Sequence, residues 1–215
     1  MKVIGVFIAF CASAILGIAA IVVGACGENG AFGDKINYSE LTADNAREGL
    51  IVEGDIVYVW DIFADEVKRE NGKVVTVGEY YTVVLPHSYT EEVPAFIGFY
   101  STKSYELSTL ETLRSTFESI LIGKDDAEGT ALHFRGRLKK LDGSRLECIG
   151  VSVSDFIEIF ELGEEYKAEN MMVPYVIESY NGGPYAVILI VGIVLTVIGA
   201  GGVLVLVLKD IGEDG

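Results

Sequence analysis

The sequence predicts an α+β domain, built mainly from an antiparallel sheet with one or two helices and flanked by two transmembrane helices. Two long apolar segments without charged side chains stand near the ends of the chain. Between them, segments rich in β-branched and aromatic residues are separated by turn residues, as is typical of strands. One further stretch repeats its apolar residues at the period of a helix. These three observations together predict one folded domain between two membrane spans.

The first apolar segment, residues 3–24, has 22 residues and no charge. A helix of that length covers about 33 Å, which is enough to cross the hydrocarbon core of a bilayer. We therefore predict a first transmembrane helix with a short cytoplasmic N-terminus in residues 1–24. The second segment, residues 185–208, has 24 uncharged residues and predicts a second transmembrane helix, followed by a tail at 209–215.

The orientation of the two spans follows from the basic residues beside them. Lys2 lies at one end of the chain and Lys209 directly follows the second span. Basic residues in short flanks favour the cytoplasmic side. We therefore expect both termini in the cytoplasm, a location in the cytoplasmic membrane, and an acidic extracytoplasmic domain with Gly-rich tethers in residues 25–184.

Cys26 supports an alternative interpretation of the first segment. The residues Val23, Gly24, Ala25 and Cys26 are similar to a lipoprotein cleavage box, which would leave a lipid-modified Cys26 at the new N-terminus. The apolar stretch is longer than the roughly 7–15 residues of a signal-peptide core, which favours a retained helix. The sequence also leaves open a disulfide between Cys26 and Cys148.

Composition excludes some functions. The chain has 16 Lys and Arg against 32 Asp and Glu, a net charge of −16. Nucleic acids and anionic lipid surfaces attract basic patches, so we expect no nucleic-acid partner. The 2 His and 3 Cys residues show no metal-ligand spacing. No nucleotide-binding or catalytic motif occurs. We therefore predict no metal, no cofactor and no catalytic residue.

The domain contains several recognisable elements. Strands are expected at 51–63, 79–85, 95–100 and 172–179, with a turn at Asn71-Gly72 between the first two. Leucine and phenylalanine spacing predicts a helix over 104–122. Residues 154–166 favour a second helix, although the alternation through Ile157 and Ile159 leaves a strand open. The domain is therefore expected to be a sheet with helices packed on it.

A hairpin is predicted around Asp142-Gly143, because this dipeptide is a strong two-residue turn signal. That turn would place Phe134 opposite Val151 on an apolar face. The basic stripe of alternate residues would lie on the other face: His133, Arg135, Arg137 and Lys139. The stripe has two interpretations, an exposed strand face paired with nearby acids or a site for an anion or acidic partner.

The runs GLIVEGDIVYV, GEYYTVVLP and FIGFY carry a family resemblance over about residues 40–102. In these runs a V-E-G strand is followed by a Y-Y strand ending near proline and then by a short I-G strand. The pattern resembles a family of uncharacterised bacterial two-span membrane proteins with an extracytoplasmic domain of unknown function. The resemblance implies no activity and no functional residue.

Small residues recur every fourth position in both spans. They are Gly5, Ala9, Ser13 and Gly17 in the first span, and Gly192, Thr196 and Ala200 in the second. Small side chains let two helix backbones approach closely in lipid. We expect the two stripes to pack against each other antiparallel, with a Ser13–Thr196 hydrogen bond, although the stripes would equally suit a homodimer.

Taken together, these features predict a membrane-anchored extracytoplasmic protein with a binding, sensing or accessory role and an unknown ligand. Its expected partners are the lipid bilayer and another membrane or envelope protein, and a homo-oligomer is left open. An envelope-associated hydrolase of unfamiliar type is the alternative, so enzymatic activity stays uncertain.

Overall fold

The computed structural model describes residues 2–26, 34–89, 93–121, 130–179 and 183–213. It divides into two compact units. Helices α1 (Lys2–Cys26) and α5 (Gly183–Glu213) form one unit. The elements between Asp34 and Ser179 form the other unit, which we call the domain. Most of the expected Gly-rich tethers, at 27–33 and 180–182, lie outside the described residues.

The predicted α+β class is confirmed, since the domain is a mainly antiparallel seven-stranded sheet with helices. The strands are β1 (Lys35–Asn37), β2 (Ile51–Ile56), β3 (Val59–Glu70), β4 (Lys73–Val84), β5 (Phe96–Ser101), β6 (Leu132–Lys140) and β7 (Met172–Ser179). Their order is β1-β2-β6-β7-β5-β4-β3. The β1–β2 and β5–β7 pairs are parallel and the other pairs are antiparallel.

Helices cover both faces of the sheet. Neighbouring residues of its central strands face opposite ways, and apolar side chains on both faces are buried under helices. Helix α2 (Ser104–Leu121) packs on one face through Leu110 and Leu113. Helix α3 (Gly143–Ile159) packs on the other face through Ile149, Val153 and Phe156, and the short α4 (Ala168–Met171) follows it. The strands contribute Phe99, Phe134 and Ile177 to the first core and Phe96 and Val176 to the second.

Several predicted elements match the structure closely. Strand β7 has the predicted bounds, and α2 matches the predicted helix up to Leu121, with Ile122 outside the described residues. Asn71 and Gly72 both have positive φ, at 50° and 79°, as a two-residue hairpin turn requires. The predicted strand 51–63 is instead two strands, because β2 pairs with β6 while β3 pairs with β4 at the far edge.

The hairpin predicted around Asp142 was wrong. The Asp142 carboxylate accepts a hydrogen bond from the Arg145 backbone N–H at 2.9 Å, so Asp142 is the N-cap of α3. Strand β6 pairs with β2 and β7 instead. Phe134 is buried as expected, but Val151 lies on α3 with 61% of its surface exposed. Asp-Gly suits both a turn and a helix start, and the helical spacing of the apolar residues that follow favours the helix.

Helices α1 and α5 are each long and apolar enough to cross a membrane, over Val6–Ala25 and Ala186–Lys209. Their large apolar side chains point outward on nearly all sides of the two-helix unit. The helix backbones approach closely at Gly17 and Gly192. A Cβ atom on Gly17 would lie 2.7 Å from the Gly192 carbonyl oxygen, which is too close for any side chain.

The predicted packing residues are only partly brought together. The Ser13 hydroxyl donates to the Leu195 carbonyl at 3.2 Å and Thr196 donates to Gly192 at 2.9 Å, in place of the expected Ser13–Thr196 hydrogen bond. Ala9 and Ala200 are exposed, and the surroundings of Gly5 are outside the description. The second span instead contacts the first through Gly199, which lies against Ala14 and Phe10.

Candidate binding face of the sheet

Strand β6 presents the basic stripe because its residues alternate across the sheet. Leu132, Phe134, Gly136 and Leu138 are buried on one side. The stripe of His133, Arg135, Arg137 and Lys139 lies on the other side, where α3 covers the neighbouring strands. The alternation predicted from sequence therefore places these four side chains on one face, although the partner strands differ from the predicted one.

Acidic side chains from two neighbouring strands flank the stripe. On β2, Asp55 lies 2.9 Å from His133 and Glu53 lies 4.0 Å from Arg135. On β7, Glu178 lies 3.2 Å from Lys139 and is also the cross-strand neighbour of Arg137. We call this row of alternating charge, on β2, β6 and β7, the charged face.

The charged face is balanced between the two signs. An anion bound to the stripe would have to compete with three carboxylates, so the arrangement disfavours a simple anion site. Exposed ion pairs of this kind contribute little to folding stability, about 0–1 kcal/mol each. A surface of alternating charges is better suited to recognising another surface of complementary pattern.

Two tyrosines continue this face across the sheet. Glu178 is the neighbour of Tyr100 on β5, and Tyr100 is the neighbour of Tyr80 on β4. The two rings lie 4.4 Å apart between centroids. The Tyr100 hydroxyl donates a hydrogen bond to the Glu66 carboxylate on β3. The polar row therefore extends from β2 to β3.

Gly78 and Arg145 hold this tyrosine pair in place. A Cβ atom on Gly78 would lie 2.6 Å from the Tyr100 ring, so only glycine lets the ring cross β4 toward Glu66. On the other side, the Arg145 guanidinium stands 4.7 Å over the Tyr80 ring. Arg145 also donates to the Asp142 carboxylate at 2.8 Å, which ties the N-terminus of α3 to the charged face.

Both tyrosines keep their protons at neutral pH. Burial raises the pKa of Tyr100, and the hydrogen bond to Glu66 raises it further. Burial also raises the pKa of Tyr80, against the opposing effect of Arg145. Tyr100 is half-buried and so offers a neutral hydroxyl and an aromatic surface, which are the properties that enrich tyrosine in protein interfaces, whereas Tyr80 is buried.

The charged face does not assemble a recognisable catalytic group. The His133 ring is 79% exposed, and the hydrogen bonds of the described residues link it to Asp55 but to no Ser, Thr or Cys side chain. Within the described ranges, no group of three or more His, Cys, Asp or Glu residues could hold a metal ion.

Sequence reasoning missed the tyrosine half of this face. Tyr80 is 3% exposed, and Tyr100, Glu66 and Arg145 belong to no motif of the sequence. These residues come from β3, β5 and α3, so only the strand order brings them together. The alternation of Glu53 and Asp55 along β2 is the one local signal in the sequence of an acidic strand beside the basic one.

Comparison with known proteins gives a family and no activity. A family model described as a domain of unknown function, DUF8577, matches residues 5–209. No curated protein matches the chain, and no solved structure matches it. The family match covers the domain and almost all of both apolar helices. The chain therefore belongs to the DUF8577 family of unknown function.

Proposed function

We propose that this chain is a two-pass protein of the bacterial cytoplasmic membrane that presents its domain outside the cytoplasm as a binding or accessory module. The domain would recognise another membrane or envelope protein through the charged face.

The exposed apolar surface of the two helices carries the membrane assignment. Leu16 on α1 and Val197 on α5 are 63% and 66% exposed, and most of their large apolar neighbours are exposed as well. Exposing such apolar surface to water costs about 25 cal/mol of free energy per Å², whereas exposing it to lipid does not. A core helix of a soluble protein would bury these side chains, which argues for lipid around both helices.

The charges at the ends support the orientation. Lys2 and Lys209 flank the spans on the side of the termini, and the acidic domain lies between the spans in sequence. Basic flanks favour the cytoplasm, so the domain would face outward.

The charged face supports the binding role. Tyr and Arg are enriched among the residues that dominate protein interfaces, and alternating charges select a complementary partner. Tyr80, Tyr100 and Arg145 form a packed aromatic and cationic group beside the charged row. A partner of complementary pattern would contact this group and pair with the charged row at the same time.

The native Cys148 provides a direct test of orientation, because its thiol is free and exposed. In a variant that keeps Cys148 but carries Cys11→Ser and Cys26→Ser, an impermeant maleimide should label intact cells. The matched control replaces Cys148 with Ser and introduces Gly215→Cys, which should label only after the cells are opened. Labelling of Gly215→Cys in intact cells, with Cys148 protected, would reverse the proposed topology.

The binding role is tested by crosslinking in native membranes followed by purification of the tagged chain. Arg135→Ala together with Arg137→Ala should lower the yield of the crosslinked partner while leaving the domain folded. Lys140→Ala is the matched control, since Lys140 is an exposed neighbour on the same strand and lies outside the stripe. An unchanged partner yield in the double variant would remove the charged face from the proposal.

A further inference from the structure

The hairpin of β3 and β4 extends beyond the rest of the sheet. Strand β5 pairs with β4 only from Glu79 to Val84. The outer parts of β3 and β4 pair only with each other, as far as the turn at Asn71-Gly72. We call residues 67–77 the arm. Its four cross-strand pairs, from Val67–Thr76 to Glu70–Lys73, correspond to a projection of about 14 Å.

The arm carries four of the seven large apolar side chains that the domain exposes among the described residues. Val67, Val74, Val75 and Val77 are all exposed, with Val74 at 63%. Outside the two membrane-type helices, the described residues include only three other large exposed apolar side chains: Tyr105, Val151 and Ile159. Because side chains alternate along a strand, Val67 and Val74 share one face of the arm with Arg69, and Val75 and Val77 lie on the other face. Exposed apolar side chains of this kind mark interaction sites.

The arm is also basic, although the chain as a whole is acidic. It carries Lys68, Arg69 and Lys73 against Glu70, in a chain of 16 basic and 32 acidic residues. Lys68 pairs with Glu70 at 3.1 Å. Arg69 and Lys73 form no ion pair with any residue that the structure describes. The arm therefore presents valines together with these two cations, which would suit an apolar surface bordered by carboxylates.

The outer face of α3 has that complementary composition. Val151 and Ile159 are 61% and 63% exposed, although both lie on a helix of a folded domain. They are eight residues apart, with the exposed Asp155 midway between them. Residues four apart on a helix are neighbours on its surface, so these three side chains form one strip. The exposed Glu158 borders the strip, seven residues after Val151.

We propose that two copies of this chain associate, with the arm of each copy packed on the outer face of α3 of the other. Val67 and Val74, which share one face of the arm, would meet Val151 and Ile159. Arg69 on that face and Lys73 at the end of the arm would meet Asp155 and Glu158. The contact would be reciprocal, as a twofold homodimer requires. It would cover Val67, Val74, Val151 and Ile159, which are four of the seven large apolar side chains that the domain exposes among the described residues. The proposal does not depend on which side of the membrane the domain faces.

Crosslinking between two differently tagged full-length chains tests the contact. Both chains lack Cys11, Cys26 and Cys148, one carries Val74→Cys, and the other carries Val151→Cys. In co-expressing membranes a short thiol crosslinker should give a product that carries both tags. Val74→Cys with Ala43→Cys is the matched control, because Ala43 is exposed and lies outside both surfaces. Equal yields from the two pairs, or no product from either, would overturn the proposal.

Charge reversal gives the test its specificity. With one cysteine on each chain, Arg69→Glu and Lys73→Glu in both chains should lower the crosslink about tenfold, because like charges would then meet. Asp155→Lys and Glu158→Lys in both chains should do the same. The crosslink should return when the Val74→Cys chain carries the first pair of changes and the Val151→Cys chain carries the second pair.

The control reversals, Lys140→Glu with Lys167→Glu, should leave the yield unchanged, and tryptophan fluorescence from Trp60 should show that each variant is folded. If the crosslink does not return when the two pairs of charge reversals are combined, these charges do not meet. Capture of a different protein by the arm, or binding of the arm to vesicles with anionic lipid in place of the crosslink, would also exclude a second copy as its occupant.

Discussion

The Asp142 carboxylate begins helix α3 with a small set of local contacts. Its Oδ1 accepts hydrogen bonds from the Arg145 backbone N–H at 2.9 Å and from the Ser144 hydroxyl at 3.0 Å. These hydrogen bonds, and the Arg145 guanidinium beside them, hold the pKa of Asp142 below its usual range. One exposed side chain thus decides where β6 ends and α3 starts.

This cap makes a pH-dependent prediction. Because the folded-state pKa is lowered, the carboxylate adds stability above its unfolded pKa of about 3.9 and loses that contribution as the pH falls through the folded value. Asp142→Asn keeps a capping side chain without the charge, so its deficit in melting temperature should be present at pH 7 and disappear in acid. Asp142→Ala should be less stable than Asp142→Asn at both pH values. Thermal unfolding followed by Trp60 fluorescence measures this, and a deficit of Asp142→Asn that grows in acid would contradict it.

Phe134 supports a second prediction at this scale. Its ring is 4% exposed and meets the edges of Tyr38 at 5.2 Å and Phe99 at 5.3 Å. Phe134→Ala should lower the free energy of unfolding by about 3–5 kcal/mol, from lost burial and the cavity left behind. Arg135→Ala, the next residue on the same strand, should change it by less than about 0.5 kcal/mol. Denaturant titrations of the detergent-solubilised chain compare the two, and equal losses would mean that the core has been misassigned.

At the scale of elements, the contact between α1 and α5 follows steps of seven residues more closely than steps of four. A step of four turns a helix by about 40° beyond a full turn, whereas a step of seven falls short of two turns by about 20°. Phe10 and Gly17 on α1, and Gly192 and Gly199 on α5, therefore stay in the contact. Ala9 is exposed because the four-residue stripe drifts away from it.

The close approach at Gly17 can be tested by adding bulk. Cysteines at Ser13 and Thr196, in a background without Cys11, should crosslink within one chain because Ser13 lies beside Leu195. Gly17→Leu should reduce that crosslink strongly, since the new side chain would meet Gly192 and Thr196. Ala9→Leu is the matched control and should leave the yield unchanged. Equal effects of the two leucines would remove Gly17 from the contact.

At the scale of the whole molecule, the chain combines an apolar two-helix unit with an acidic domain. The net charge of −16 falls almost entirely on the domain, because both helix cores are uncharged. Helix α1 continues through Cys26, so the lipoprotein alternative would require cleavage at the end of a continuous helix.

Intact mass of the membrane-extracted protein tests that alternative. We expect a mass that includes residues 1–25 and no acyl chains, because the apolar stretch is longer than a signal-peptide core. Cys26→Ser should then leave the membrane association unchanged. A product that begins at an acylated Cys26 would make the protein a lipoprotein with one remaining span. Cys148 is a free, exposed thiol, and the Cys26–Cys148 disulfide, which would join the two units, stays an alternative that the sequence leaves open.

Local patterns were sufficient for much of this protein. Composition and the length of the apolar segments predict the two membrane-type helices, and residue spacing predicts α2, β7 and the Asn71-Gly72 turn. The alternation along β6 places the basic stripe on one face without any knowledge of its partners. These features depend on neighbours within a few residues or on the period of one element, so the sequence determines them directly.

Only the tertiary structure decided which elements meet. A run of β-forming residues does not specify which strand it pairs with. Residues 51–63 therefore predict one strand, although β2 and β3 lie toward opposite edges of the sheet. Asp142-Gly143 satisfies a hairpin turn and a helix start equally, and the packing of Ile149, Val153 and Phe156 on the sheet selected the helix. The tyrosine half of the charged face and the strip on α3 depend on contacts and exposure that strand order creates. Nonlocal packing settles such choices because burying the apolar face of each element outweighs its local preference.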